Sequence, residues 1–154
     1  RQVRRHRIEQ IAFRNTKLDL TYRSDRAYTT AAMTRVLEDK NAARKARVLA
    51  AMGLSTQAHL AQGHKIDVPS LDFGPAQIVL FPGESFVGYQ LMAQRTRPDS
   101  FVMSVGYGQC WPGYLPTDSA FKDGFDGFWL WVDPGAEPRI QEALRKVLLP
   151  SGTR

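Results

Sequence analysis

The sequence predicts an α/β fold, a single domain over residues 1–154 with a mixed or parallel sheet flanked by helices, and three observations predict it. Residues 77–105 read as a β-α-β unit: an apolar run at Ile78, Val79, Leu80 and Phe81, a Pro82-Gly83 break, a helical segment, then a second apolar run beginning at Phe101. An Ala-, Arg- and Lys-rich stretch over 27–52 has the composition of a helix. The last third closes with an amphipathic pattern over 137–149. At 154 residues the chain can bury a core of its own without disulfide staples.

Taken in order, residues 8–22 alternate loosely, with Ile11, Phe13, Leu18 and Leu20 interrupted by Asn15, and read as one or two strands. Ser24-Asp25 offers an N-cap for the helix 27–52, whose apolar positions include Tyr28, Ala32, Val36, Ala43, Ala46 and Leu49, and Gly53 offers its stop. A short helical segment, 55–62, is closed by Gly63. Then come the strand KIDVPSL, a turn at Gly74-Pro75, a strand over 77–81, a helix over 85–97 and a strand over 100–105, with Pro98-Asp99 between the last two. The near-continuous apolar character of IVLF and FVMSV suits parallel strands buried on both faces. The segment GYGQCWPGYLPTDSAFKDGFDGFWLWVDPGAEP is a long Gly-, Pro- and aromatic-rich connection, a kind that serves function or an interface in compact domains.

The formal charge of +6 is uneven. Residues 1–47 hold 13 basic and 5 acidic side chains, so the positive charge belongs to the first third, with a basic segment over 1–26. Phe13, Tyr22 and Tyr28 are too scattered there for a base-stacking platform, which argues against nucleic acid and for a solvated basic face or one that docks a partner. No apolar run approaches the roughly 20 residues of a membrane span. Cys110 is the sole cysteine and excludes an internal disulfide. The start at Arg1 and the opening RQVRRHR read as a piece of a longer protein.

Parallel strands at 77–81 and 100–105 would bring Glu84 and the loop holding Tyr107 and Tyr114 to one sheet edge, where open α/β sheets bind ligands. The plainer account makes Glu84 an acid in a first helical turn, favoured by about 0.3–1 kcal/mol through the helix dipole. Likewise Thr117-Asp118 can simply start a short helix over 119–122. Walker, dinucleotide and nucleophile-elbow motifs are all missing from the sequence. His59 and His64 lie five apart, which matches no metal-ligand spacing, and His6 stands in the basic opening.

Read together, LFPGESFVGYQLMAQRTRPDSFVMSVGYGQCWPGYLPTDSAF resembles the neutral/alkaline ceramidase-like proteins of the bacterial branch, with Pro-Gly-Glu-x-Phe, Tyr-Gln-Leu and Gly-Tyr-x-Pro-Thr in order from Leu80 to Phe121. The resemblance implies a zinc-dependent amidase that hydrolyses N-acylsphingosine, with the metal held by two histidines, a glutamate and a tyrosine. On this chain the last two map to Glu84 and Tyr114, with Tyr107, Gly113 and Thr117 on the substrate side. Carboxylate and phenolate oxygens suit zinc, and a zinc-bound water with its pKa lowered to about 7 is a competent nucleophile. The family's zinc histidines lie upstream, and His6, His59 and His64 match none of their motifs. The tail of the motif departs too, as KDGFDGF.

Two functions follow as expectations. In the first, the chain is the C-terminal portion of a bacterial ceramidase-like zinc amidohydrolase and part of a larger catalytic domain. It is inactive alone and completed by an N-terminal portion of the same protein, and it acts on an N-acyl amide or sphingolipid-like substrate. In the second it is a non-catalytic α/β interaction module whose basic face docks a protein or an anionic partner. The sequence fixes no compartment, whether internal or exported.

Overall fold

The computed structural model describes residues 5–150, so Arg1 to Arg4 of the basic opening lie outside the described residues. The fold is α/β with one mixed four-stranded sheet. Strand β1 (Ala12–Leu18) pairs antiparallel with β2 (Ile66–Asp72), and β2 pairs antiparallel with β3 (Ala76–Leu80). The sheet is completed by β5 (Phe101–Val105), which runs parallel to β3 in the register Ala76↔Phe101 through Leu80↔Val105. The β-α-β reading of 77–105 therefore holds, its helix being α3 (Val87–Thr96).

One sheet face is covered by α5 (Ala136–Leu148), which packs on β1, β2 and β3, while α3 packs on β5 and on α5. Helix α5 buries Ile140, Ala143, Leu144, Val147 and Leu148, the stripe a 3.6-residue period produces, against Val68, Val79 and Val102 from the strands. The carbonyls of its last turn need donors from outside the helix. Ser70 Oγ donates to Val147 O at 2.6 Å, while Gln77 Nε2 and Arg97 Nη1 donate to Leu148 O at 3.2 and 3.1 Å. Two buried polar side chains of the sheet thus complete the end of the helix that covers it.

The other face is open, against the expectation of strands buried on both sides. Phe13, Leu71, Ile78 and Met103 are successive register partners across all four strands. Phe13 and Met103 are 67% and 47% exposed, and Phe101 and Val105 flank them in the open. The apolar runs are real, but α3 and α5 lie on the same side, leaving only alternate residues buried.

The helix expected over 27–52 is two helices, α1 (Thr30–Glu38) and α2 (Arg44–Ala61). Thr29, not Ser24-Asp25, caps α1, its hydroxyl accepting from Ala32 N at 3.3 Å. The chain breaks at Asp39, whose carboxylate accepts from Asn41 N at 2.9 Å, a local turn that competes with helix. Gly53 is no stop. It sits inside α2 where a Cβ would overlap Met33 Sδ and crowd Trp131, so it is the close-approach point of a second cluster made by Met33, Ala50 and Trp131. Gly63, at φ +70°, does terminate the helix as expected.

Candidate functional site

Beyond β3 the chain turns at Pro82-Gly83 into a two-residue strand, β4 (Glu84–Ser85), which pairs in parallel with β6 (Tyr114–Leu115). Glu84 and Tyr114 are direct register partners in that ladder. This corrects the placement of Glu84 in a first helical turn: the N-cap of α3 is Phe86, and no acidic residue occupies the helix's first turn. The dipole explanation of Glu84 loses its geometry, and its position is set by strand pairing instead.

Backbone contacts fix the cradle around this pair. Glu84 N donates to Gly113 O at 2.9 Å, Tyr114 N to Trp129 O at 2.7 Å, Gly83 N to Gln109 O at 3.0 Å and Tyr107 N to Gly83 O at 2.9 Å. Two glycines are required. Gly83 (φ +54°) and Gly113 (φ +74°) occupy left-handed conformations, and a Cβ on either would overlap a carbonyl oxygen, that of Gly113 or of Trp129. Tyr107 is the sole non-glycine residue with positive φ among the described residues, at 60°. Such strain costs of order 1 kcal/mol and tends to cluster at functional sites.

The Tyr107 N–H bond to Gly83 O anchors this residue next to Glu84. Tyr107 and Tyr114 both stand close enough to the Glu84 carboxylate to feel its charge. Partial loss of solvent, reinforced by the Glu84 carboxylate beside them, holds both phenols above the ordinary tyrosine range, so both are neutral at pH 7. The Tyr114 ring is held by edge-on contacts with Phe86, Phe125, Phe128 and Trp129 at centroid distances of 5.6–6.3 Å. On the far side of Phe128 and Trp129, an apolar cleft of about 460 Å³ is walled also by Val48, Leu49 and Met52.

Of the residues predicted from sequence, Glu84, Tyr107, Gly113 and Tyr114 therefore meet at one place. Thr117 has a structural role: its hydroxyl accepts from Ala120 N at 3.3 Å as the N-cap of α4 (Asp118–Lys122), the short helix expected there. Glu84, Tyr107 and Tyr114 offer oxygen donors of the kind zinc accepts, a partial fit that lacks nitrogen ligands. Among the described residues there is no group of three or more His, Cys, Asp or Glu side chains that could hold a metal.

A second group is one that the sequence reading set aside on its spacing. His59 and His64 face each other with Nδ1···Nδ1 at 3.0 Å, and the His59 ring stacks on Trp111 at 5.2 Å between centroids. The signal was Gly63. When a helix ends in a left-handed glycine, the residue after the glycine returns beside the residue five before it, and here His64 N donates to His59 O at 3.0 Å. No family model, curated protein or solved structure matches the chain.

Proposed function

We propose that this chain supplies Glu84 and Tyr114, with Tyr107 beside them, to the metal centre of a ceramidase-like zinc amidohydrolase whose histidine ligands come from an upstream portion of the protein. The observation that carries the reading is the register pairing of Glu84 with Tyr114, in a backbone-fixed cradle that also holds Tyr107. Zinc in such a centre supplies Lewis-acid polarisation of an amide carbonyl. This chain's part is to hold carboxylate and phenol oxygens in place, with the aromatic enclosure of Tyr114 keeping its ring from rotating away. The apolar cleft beyond Phe128 and Trp129 suits the hydrocarbon part of an N-acyl amide or sphingolipid-like substrate. The open sheet face supports the upstream portion as its occupant, because its apolar edge at Val105 leads directly to exposed Tyr107.

In the protein containing the upstream portion, Glu84→Gln is expected to abolish hydrolysis of a fluorogenic N-acyl amide and to release the zinc ion of that centre. Folding stability should change by no more than about 1 kcal/mol, since Gln matches the side chain's size and leaves the backbone pairing of the strand untouched. Turnover retained in Glu84→Gln, measured beside thermal unfolding of the same variant, would remove the reading. The alternative, a non-catalytic module docking an anionic partner through its basic first third, predicts steeply salt-dependent binding with no effect of Glu84→Gln.

A further inference from the structure

The end of α2 and the strand start beyond it enclose an open cleft of about 580 Å³ whose walls include His59, His64, Trp111 and Asp67. The two imidazoles are positioned by the backbone turn and by an aromatic neighbour. Gly63 at φ +70° turns the chain so that His64 returns over His59. Trp111 stacks on His59, and Trp111 is itself tied to α2 by Thr56 Oγ1 donating to Trp111 O at 2.6 Å. The cations nearest the cleft are neutralised, Lys17 by Asp67 at 2.8 Å and Lys65 by Asp19 at 3.3 Å.

Two nitrogens facing each other at 3.0 Å leave room for one proton between them, one ring donating its Nδ1–H to the bare Nδ1 of the other. That separation is also a metal bite. With metal–nitrogen bonds of about 2.05 Å, ligands at a right angle stand roughly 2.9 Å apart and tetrahedral ligands roughly 3.3 Å. Imidazole pairs suit zinc and its neighbours among the divalent transition metals.

We propose that His59 and His64 form a binding site for a divalent transition metal, zinc being the probe, with both Nδ1 atoms as ligands and water filling the remaining positions. On binding, the proton on one Nδ1 moves through solvent to Nε2 of the same ring, so the neutral pair takes up the ion without net proton release. The site is separate from the Glu84 cradle and does not depend on the function proposed for it.

The test is calorimetric titration of the chain with zinc chloride, with histidine ring nitrogens followed by NMR. The chain and its Glu84→Gln, Tyr114→Phe double variant should both bind one zinc ion, with the Nδ1 resonances of His59 and His64 shifting together. His64→Ala and His59→Ala should each lose binding. His64 is exposed, so its replacement leaves the fold intact, and His64→Gln repeats the test with a larger side chain. Gly63→Ala should weaken binding while both histidines remain, because it disfavours the left-handed turn. Failure of the chain to bind zinc, binding unchanged in both histidine variants, or binding lost in the Glu84 double variant would overturn the proposal.

Discussion

The two faces of the four-stranded sheet are written in similar residues and have opposite fates. Val68, Val79 and Val102 lie under α5 and α3 with almost no exposure, whereas Phe13, Leu71 and Met103, pointing the opposite way from the same sheet, stand in the open. An apolar strand sequence therefore states that both faces can be covered; which face is covered is decided by the helices. Each face also carries an ion pair between β1 and β2. Arg14–Asp72 lies on the helix side, and Lys17–Asp67 lies on the open side with its carboxylate additionally held by Asn15 and Gln109.

The comparison is tested most severely on the covered face. Leu144→Ala, beneath the sheet and fully buried, should cost about 2–5 kcal/mol in urea unfolding, the range for truncating a buried leucine. Ser70→Ala should cost about 1–3 kcal/mol, because it leaves Val147 O in the last turn of α5 without the hydroxyl that serves it. If Leu144→Ala proved as mild as a surface change, α5 would not be the cover described here.

Acid separates the two ion pairs more gently. Hydrogen bonds from Lys17 and Asn15 hold the Asp67 carboxyl below its usual range; burial pushes Asp72 up, but the Gly74 N–H and Arg14 outweigh it and hold Asp72 below its range too. Both groups stay ionised in the folded chain at pH values where the unfolded chain protonates. Their stabilisation is thus fully present above the unfolded pKa near 4 and is lost as pH falls through the folded values. Asp72→Asn should flatten the acid limb of a stability–pH curve more than Asp67→Asn, since the Asp72 side chain is 11% exposed and that of Asp67 29%. The smallest effect belongs to the open face. Met103→Ser should change the stability of this chain by no more than about 0.5 kcal/mol, and a larger loss would show that something covers that face.

Much of the architecture was legible because it rests on local rules. The Pro82-Gly83 and Pro98-Asp99 breaks, the stripe of α5 and the Gly63 stop each announced a boundary, and β3 and β5 are parallel as the strand-helix-strand order implied. The misreadings share a different cause. Gly53 looked like a stop, but its meaning lies in Met33 and Trp131, residues distant in sequence. Glu84 looked like a helical acid, but its partner is Tyr114, thirty positions on, across a ladder no local pattern declares. The place of Tyr107 beside that strand rests on a left-handed backbone angle, which a residue name does not reveal.

The pairing of β1 with β2, Ala12↔Asp72 through Leu18↔Ile66, carries a kinetic consequence. Both α1 and α2 lie in the connection between those strands, so the ladder closes only after a long loop has been gathered in, at an entropic cost its later hydrogen bonds must repay. The β2–β3 hairpin, joined by the short Gly74-Pro75 turn, needs no such closure. In pulsed hydrogen exchange during refolding, amides of β3 are expected to gain protection before those of β1, so that the first strand in the chain is the last to join the sheet.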